Sequence, residues 1–267
     1  MVKRKQSTLG YIGLGNIGGP MAVRLAMAGF SLHVYGRNNE RLKPAIAAGA
    51  VECASASEVA ERSDLVFTCL TNTAAVEKVV FDPAGIAEGA KPGAILIDMS
   101  TISPDATVAM ATRLRDTTGM EWMDAPVSGG TVGATDGTLS IFMGGRAKCF
   151  EIVRPVLMHV GRNVTLTGPL GTGQTTKLIN QVVVCCSIVM LARHAPWQNG
   201  PGLTSCRCRP LWRVDLPTPQ RCEPIGSGLL SVIILLTAPL PASLRTLTWS
   251  RRFLEELERS CPSRQRP

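Results

Sequence analysis

The first half of the chain alternates short hydrophobic runs with longer segments of helical periodicity. From Leu9 to Asp98 the runs LGYIGLG, SLHVYGR, DLVFTCL and AILIDMS are separated by Ala-rich segments whose apolar residues recur every three or four positions. Strands separated by helices of about a dozen residues indicate βαβ units, and right-handed crossovers between them build a parallel sheet. We therefore predict an α/β fold with a doubly wound, mostly parallel sheet.

The same alternation continues to residue 168 and then changes. The runs MEWMDAPVS, TLSIFMGG and NVTLTG extend the sheet around a Gly/Thr-rich turn, and QTTKLINQVVVCCSIVMLA predicts one long helix, apolar enough to be largely buried. We expect three segments: an α/β domain over 8–168, an interdomain helix over 169–192 that starts a truncated second domain, and an anomalous segment over 193–267.

The last segment differs sharply in composition. Residues 193–267 hold ten of the 18 prolines, three of the four tryptophans and no lysine, and they show no sustained period before RRFLEELERS. We expect an irregular, disordered tail, and a reading-frame error after residue 192 is the preferred explanation, which sequencing the coding DNA tests. The alternative is a genuine Cys-rich tail with a metal held by His194, Cys206, Cys208 and Cys222, but this spacing matches no common zinc pattern, so no metal site is predicted.

Charge is also divided unevenly. Residues 1–192 hold 17 basic and 15 acidic residues, whereas 193–267 hold 11 and 5, so the tail carries most of the net charge of +8. A nearly neutral body does not favour nucleic acid as a partner. The apolar run LLSVIILLTAPL contains Pro239 and is too short to cross a bilayer, so no membrane partner is expected. Nine scattered cysteines and the lack of a signal peptide before the first Gly-rich turn predict reduced thiols and a cytoplasmic location.

The segment GYIGLGNIGGPMA places three glycines in G-x-G-x-x-G spacing directly after a strand and before a helix. A dinucleotide-binding turn needs these glycines for a tight bend, for close approach of the backbone to a pyrophosphate and for close packing of helix on strand. The free amides at the helix N-terminus then favour phosphate. We predict a Rossmann-type NAD(P)-binding domain whose cofactor loop consists of Gly13, Leu14, Gly15, Asn16, Ile17 and Gly18.

The end of the second strand, VYGRNNERL, indicates which cofactor is preferred. A carboxylate near this place binds the ribose 2′-hydroxyl of NAD, whereas an arginine accommodates the 2′-phosphate of NADP. Arg37 and Asn38 occupy the place, and no carboxylate follows before Glu40. We therefore predict NADP, bound by Arg37 and Asn38, with NAD as the alternative. A merely solvated role for Arg37 stays open.

A second Gly-rich stretch, DAPVSGGTVGATDGTLSIFMGG, follows a later strand. Ser128, Gly129 and Gly130 come directly after that strand, so their amides and one hydroxyl can face the crevice at its carboxyl end. Such a group suits a small carboxylate substrate. A Gly-rich hairpin that only turns the chain is the alternative.

Lys177 is the last lysine of the chain and lies on the mostly apolar predicted helix. Asn180, three residues further on, shares its helix face. Among Val, Ile and Cys the charged form of the lysine would be disfavoured and its pKa lowered, which suits proton transfer near neutral pH. A surface lysine that extends its ammonium into solvent is the alternative.

Four motifs in the same order, GYIGLGNIGGPMA, DMSTISP, DAPVSGGTVGATDGTLSIFMGG and GPLGTGQTTKLINQ, resemble those of the β-hydroxyacid dehydrogenases. That family includes 3-hydroxyisobutyrate dehydrogenase and tartronate semialdehyde (2-hydroxy-3-oxopropionate) reductase. The resemblance covers residues 8–192. It implies hydride transfer between NADP(H) and a small hydroxy acid or semialdehyde.

The resemblance also implies roles for individual residues. Lys177 would be the general acid/base, Asn180 would orient the substrate, and Ser128 to Gly130 would hold its carboxylate. Thr101 would lie against the nicotinamide side of the cofactor. Three residues after the fourth strand would line the cofactor, namely Leu70, Thr71 and Asn72.

The chain leaves the family pattern after residue 192. In the family the lysine helix continues into an all-helical domain that closes the active site and mediates dimerisation, whereas here RHAPW follows and Pro196 opposes continuation. A family-type homodimer is therefore not expected. Two functions remain: an NADP-dependent β-hydroxyacid dehydrogenase or semialdehyde reductase, and an NADP-binding remnant with little catalysis. Imine reductases have a similar opening, but Lys177 argues against that family.

Overall fold

A sheet of nine strands forms the centre of the protein in the computed structural model, which describes the backbone of residues 7–194 and the side chains of residues 7–187. The strands are β1 (Leu9–Ile12), β2 (Leu32–Tyr35), β3 (Val51–Glu52), β4 (Leu65–Thr68), β5 (Ile95–Asp98), β6 (Glu121–Asp124), β7 (Val127–Ser128), β8 (Leu139–Gly144) and β9 (Gly161–Gly168). The helices are α1 (Gly18–Met27), α2 (Asn39–Ala47), α3 (Ala56–Arg62), α4 (Thr73–Phe81), α5 (Ile86–Gly89), α6 (Pro104–Thr118), α7 (Gly130–Asp136), α8 (Ala147–Leu157) and α9 (Thr172–His194).

The strand order is β3-β2-β1-β4-β5-β6-β8-β7, with β9 paired to β8. Strands β1 to β6 are parallel to one another, whereas β8 runs antiparallel to β6 and to β7 and parallel to β9. The chain moves outward from β1 to β3 and then returns to the other side of β1 with β4. This reversal confirms the predicted doubly wound, mostly parallel fold.

Helices cover both faces of the sheet, which explains why β1, β4 and β5 are buried along their whole length and mostly apolar. Successive residues of β1 point to opposite faces: Tyr11 belongs to the core beneath α1 and α8, and Ile12 to the core beneath α3, α4 and α6. Tyr11 stacks on Phe67 with ring centroids 5.9 Å apart. Packing on both faces therefore keeps β1, β4 and β5 aligned, so that their carboxyl ends lie next to one another.

The Gly/Thr-rich stretch after β7 is a short helix, α7, whereas the sequence predicts a turn there. Gly129 and Gly130 precede or open this helix with φ of +130° and +63°, backbone conformations that favour glycine. The helix then ends at Gly137 in the left-handed conformation, φ +71°. Glycines thus allow the chain to bend at both ends of α7, and the residues between these bends are helical.

The expectation that the long helix is largely buried is wrong for part of its length. Gln174 and Lys177 in its first two turns are buried, but Ile179, Val182 and Val183 are 61%, 43% and 59% exposed. Burial of an apolar helix face needs a second layer of packing, and the described residues do not cover these three side chains with one.

Compact packing divides the chain after Leu178, and the unit that begins at Ile179 is described only as the continuation of α9 to His194. Apart from its first two residues, the predicted tail at 193–267 lies outside the described range, as do three of the four cysteine and histidine positions weighed as metal ligands. The predicted boundaries at 168 and 192 stay predictions. Within the described residues no helix is long and apolar enough to cross a membrane. Four cysteines of the same range carry free thiols: Cys53, Cys69, Cys149 and Cys186.

Candidate functional site

The carboxyl ends of β1, β4, β5 and β6 lie side by side and form one edge of the sheet. The strand order reverses between β1 and β4, and this reversal opens a crevice in which α/β sheets bind ligands. The predicted cofactor residues at 13–18, at 70–72 and at Thr101 all follow strands that end at this edge, namely β1, β4 and β5. The structure thus brings together three stretches that are distant in the sequence.

The glycine turn after β1 has no room for side chains. A Cβ on Gly13 would collide with the carbonyl oxygen of Cys69, and its φ of +95° also favours glycine. A Cβ on Gly18 would collide with the carbonyl oxygen of Gly13. Helix α1 then begins with no side-chain cap at Ile17 and no acidic residue in its first turn. Its N-terminal amides and positive dipole end are therefore suited to the phosphates of a dinucleotide.

The end of β2 presents two arginines. Arg37 and Arg41 are exposed, and Nη1 of Arg41 lies 3.5 Å from the position that a Cβ on Gly15 would take. Asn38 caps α2 by accepting a hydrogen bond from the Glu40 amide at 3.0 Å, and the Glu40 carboxylate pairs with Lys43 at 2.7 Å. The nearest carboxylate is thus already paired with a cation, and the arginines fit a 2′-phosphate.

A buried hydrogen-bond network joins the loops after β4 and β5. Asp98 Oδ1 accepts from the Thr68 hydroxyl at 2.9 Å and from the Ser100 amide at 3.1 Å. The Ser100 hydroxyl in turn accepts from the Leu70 amide at 2.9 Å. Asn72 caps α4 through the Ala75 amide at 2.9 Å. These bonds consequently fix the backbone at Leu70 and at Ser100, the residue before Thr101.

Asp124, the last residue of β6, anchors the start of α9. Its Oδ1 accepts a hydrogen bond from the Gly171 amide, and its Oδ2 accepts one from the Gln174 amide, both at 2.8 Å. These amides belong to the N-terminal turn of α9, where backbone donors have no partner within the helix. The carboxylate also matches the positive end of the helix dipole.

Lys177 lies one turn further along α9 and is 8% exposed. This burial removes the alternative of a lysine extended into solvent. Gln174, between the anchor and the lysine, is fully buried, and its side chain hydrogen-bonds the backbone of the loop around Thr101. The lysine-bearing helix is therefore attached to both β6 and the loop after β5.

Ser128 is half-buried at the end of β7, where it pairs with Ser140 of β8. Gly129 and Gly130 are exposed and lead into α7. Ser128 follows Asp124 by four positions, so the stretch lies close in the chain to the anchor of α9. Its predicted contact with a carboxylate stays a prediction.

Sequence reasoning did not find three side chains that shape this region: Asp98, Asp124 and Gln174. A signal was present for two of them. Asp98 and Asp124 each follow buried apolar residues at the carboxyl end of a strand, and a carboxylate in that position must find partners in the fold. Gln174 gave no such signal, because its partners lie more than 70 residues away in the sequence.

Both buried carboxyls are shifted towards the neutral form. Burial raises the pKa of Asp98 from 3.8 to about 6, against the hydrogen bonds from Ser100 and Thr68 that favour its charged form. Burial also raises the pKa of Asp124, opposed by the backbone amides of Gly171 and Gln174. Asp98 Oδ2 has no hydrogen-bond partner among the described residues, whereas both oxygens of Asp124 do.

Comparison with known proteins places this arrangement among oxidoreductases. Residues 8–168 match the NAD-binding domain of 6-phosphogluconate dehydrogenase. A 2-hydroxy-3-oxopropionate reductase from Escherichia coli K12 is 40% identical over 203 residues, which cover 75% of this chain and 68% of the reductase. A 2-(hydroxymethyl)glutarate dehydrogenase from Eubacterium barkeri is 37% identical over 188 residues, which cover 70% of this chain and 62% of that protein.

A solved structure of 3-hydroxyisobutyrate dehydrogenase from Mycobacterium tuberculosis with L-serine aligns with a TM-score of 0.74 at 26% identity, covering 93% of this chain and 94% of that one. The prediction of an NAD(P)-binding α/β domain is confirmed by the family match. The chain spans about two thirds of the length of the two curated relatives.

The raised pKa of Asp98 predicts how stability depends on pH. Because the folded-state pKa lies above 3.8, the contribution of this group to stability is complete below pH 3.8 and is lost as the pH rises through about 6. Asp98→Asn retains an acceptor for Ser100 and Thr68, removes the buried charge and places its amide nitrogen where Oδ2 already lacks a partner. We expect the variant to exceed wild type in free energy of unfolding by up to about 3 kcal/mol at pH 8.

Urea unfolding at pH 4, 6 and 8 measures this difference, which should shrink towards zero at pH 4. Asp136→Asn, on the exposed end of α7, is the control and should show no such trend. An Asp98→Asn variant that is destabilised equally at all three pH values would contradict the prediction.

Proposed function

Because the chain belongs to the β-hydroxyacid dehydrogenase family, which carries the NAD-binding domain of 6-phosphogluconate dehydrogenase, we propose that it transfers hydride between NADP(H) and a small hydroxy acid or semialdehyde. The substrate class is that of 3-hydroxyisobutyrate or 2-hydroxy-3-oxopropionate. The main observation behind the proposal is the position of the buried Lys177. It lies one turn after Gln174, which hydrogen-bonds Asp124 at the end of β6 and Ser100 after β5.

The residues at the crevice fit the cofactor. The glycine turn excludes Cβ atoms where the backbone must approach the pyrophosphate, and the uncapped start of α1 supplies amides for it. Arg37 and Arg41 supply positive charge for a 2′-phosphate, which favours NADP over NAD. When bound, the nicotinamide ring supplies or accepts the hydride.

In the reducing direction Lys177 donates a proton from Nζ to the substrate carbonyl oxygen as negative charge develops there, and in the oxidising direction Nζ accepts it. The amides and hydroxyl of Ser128, Gly129 and Gly130 bind the substrate carboxylate, and Asn180 orients the substrate. Thr101 lies on the nicotinamide side. Leu70, Thr71 and Asn72 line the cofactor with backbone and side chain.

A second candidate is an NADP-binding protein with little catalysis. Two observations favour it: the curated relatives align over 70% to 75% of this chain, and the apolar face of α9 at Ile179 and Val183 is exposed. A substrate that is not shielded from water is positioned less well, and charge in its site is stabilised less. NADPH binding without turnover of tartronate semialdehyde, glyoxylate, succinic semialdehyde or methylmalonate semialdehyde would identify this case.

Replacing Lys177 tests its proton transfer. Lys177→Gln retains a polar side chain but cannot exchange the proton, so we expect kcat to fall by about 10²- to 10⁴-fold while the Kd for NADPH stays within about threefold. Steady-state oxidation of NADPH and quenching of NADPH fluorescence measure the two effects. Lys148→Gln, an exposed lysine of α8, is the matched control. Retention of kcat by Lys177→Gln would exclude this lysine as the proton donor.

Replacing Arg37 tests the cofactor preference. Arg37→Ala removes charge-assisted hydrogen bonds to the 2′-phosphate, so the Kd for NADPH should rise about 10- to 100-fold, whereas the Kd for NADH should hardly change. Arg154→Ala, at an exposed arginine of α8, is the control. If wild type binds NADH more tightly than NADPH, the preference for NADP is wrong.

A further inference from the structure

The side-chain amide of Gln174 bridges two segments that the proposed reaction requires together. Its Oε1 accepts a hydrogen bond from the Ile102 amide at 3.1 Å, and its Nε2 donates to the Ser100 carbonyl at 2.8 Å. Ser100 and Ile102 flank Thr101, so one planar amide holds the backbone on both sides of that residue. The Gln174 side chain is fully buried, and water therefore does not compete for these bonds.

The backbone of Gln174 is fixed as firmly as its side chain. Its amide donates to Asp124 Oδ2 at 2.8 Å. A Cβ on the preceding residue, Gly173, would collide with the Phe142 carbonyl and lie 2.7 Å from Asp124 Oδ2. The first turn of α9 is thus pressed against the ends of β6 and β8 and has no room to shift along the sheet.

Lys177 follows Gln174 by three residues, which is a rise of about 4.5 Å along the helix axis and a place on nearly the same face. The helix is a rigid element over one turn. The distance between the loop of Thr101 and the backbone of Lys177 is consequently set by the two hydrogen bonds of Gln174 and by the anchor at Asp124.

We propose that Gln174 is a positioning residue that holds the Thr101 loop, on the cofactor side, in register with Lys177, the proton donor. This inference rests on the proposed function, because the relative position of the Thr101 loop and Lys177 matters only if both take part in that reaction. The residue acts through Thr101 and Lys177 and touches neither substrate nor cofactor.

The chemistry of the bridge requires an amide. Glutamate at this position could accept from the Ile102 amide, but its second oxygen would face the Ser100 carbonyl, and two acceptors repel each other. Only a protonated glutamate could donate to that carbonyl and restore the bridge. Methionine has similar length and volume but leaves the Ser100 carbonyl and the Ile102 amide unpaired, and an unpaired polar group is destabilising when it is buried.

The test compares Gln174→Met and Gln174→Glu with Thr107→Val in the full chain. Thr107 is buried in α6 and donates a hydrogen bond to the Ser103 carbonyl at 3.0 Å, so its variant loses a buried bond without touching α9. Three quantities are measured for each protein: amide hydrogen exchange of the peptides at 99–103 and 171–178, the Kd for NADPH, and kcat from pH 6 to 9.

We expect Gln174→Met to speed exchange at 99–103 by about tenfold or more, in keeping with the loss of one to two buried hydrogen bonds. Its kcat should fall by at least about tenfold while the Kd for NADPH stays within about threefold. Gln174→Glu should approach wild type at pH 6 and lose activity towards pH 9, because its ionised form breaks the bridge. Thr107→Val removes a bond to the carbonyl of Ser103, so it should alter neither the exchange of the amides at 99–102 nor the pH profile.

Unchanged exchange at 99–103 in Gln174→Met, or a Gln174→Glu profile parallel to that of wild type, would overturn the inference. If wild-type protein binds NADPH but turns over no substrate, the proposed function fails instead. Hydrogen exchange then tests the Gln174 bridge without an activity assay. Faster exchange at 99–103 in Gln174→Glu at pH 9 than at pH 6, after correction for intrinsic rates, supports the bridge. Equal exchange at the two pH values refutes it.

Discussion

The carboxylate of Asp124 receives the amides that open α9, and the arrangement of the candidate site depends on this buried interaction. It joins the end of a central strand to the helix that carries Lys177, with both bonds at 2.8 Å. A helix start needs acceptors for its first amides, and a buried carboxylate needs donors. Each therefore satisfies the other, and neither can move without leaving polar groups unpaired.

The same edge of the sheet carries a second buried carboxyl that is less well satisfied. Asp98 ties the loops after β4 and β5 together through Thr68 and Ser100, but one of its oxygens lacks a partner among the described residues. Its pKa of about 6 reflects this imbalance between burial and hydrogen bonding. The rigid edge that positions the cofactor loops is thus obtained at some expense of stability near neutral pH, a pattern typical of functional sites.

The two ends of the candidate site differ in how completely the described residues build them. The cofactor end is enclosed by the glycine turn, the start of α1 and the loops after β4 and β5. On the substrate side Lys177 is buried, but Ile179 and Val183, further along the same helix, expose apolar side chains. Because of this contrast, cofactor binding and catalysis are separate properties of this chain.

The sequence alone determined the features whose physical demands are local. Alternating apolar runs and helical periods specified the strands and helices, the G-x-G-x-x-G spacing specified the turn after β1, and Arg37 with no nearby carboxylate indicated NADP. The tertiary structure decided what depends on residues far apart in the chain. Asp124 meets α9 across 47 to 50 residues and Gln174 meets the Thr101 loop across more than 70. It also decided that the stretch after β7 forms a helix and that Val183 is exposed, because packing partners, which no local pattern encodes, determine burial and can override a turn signal.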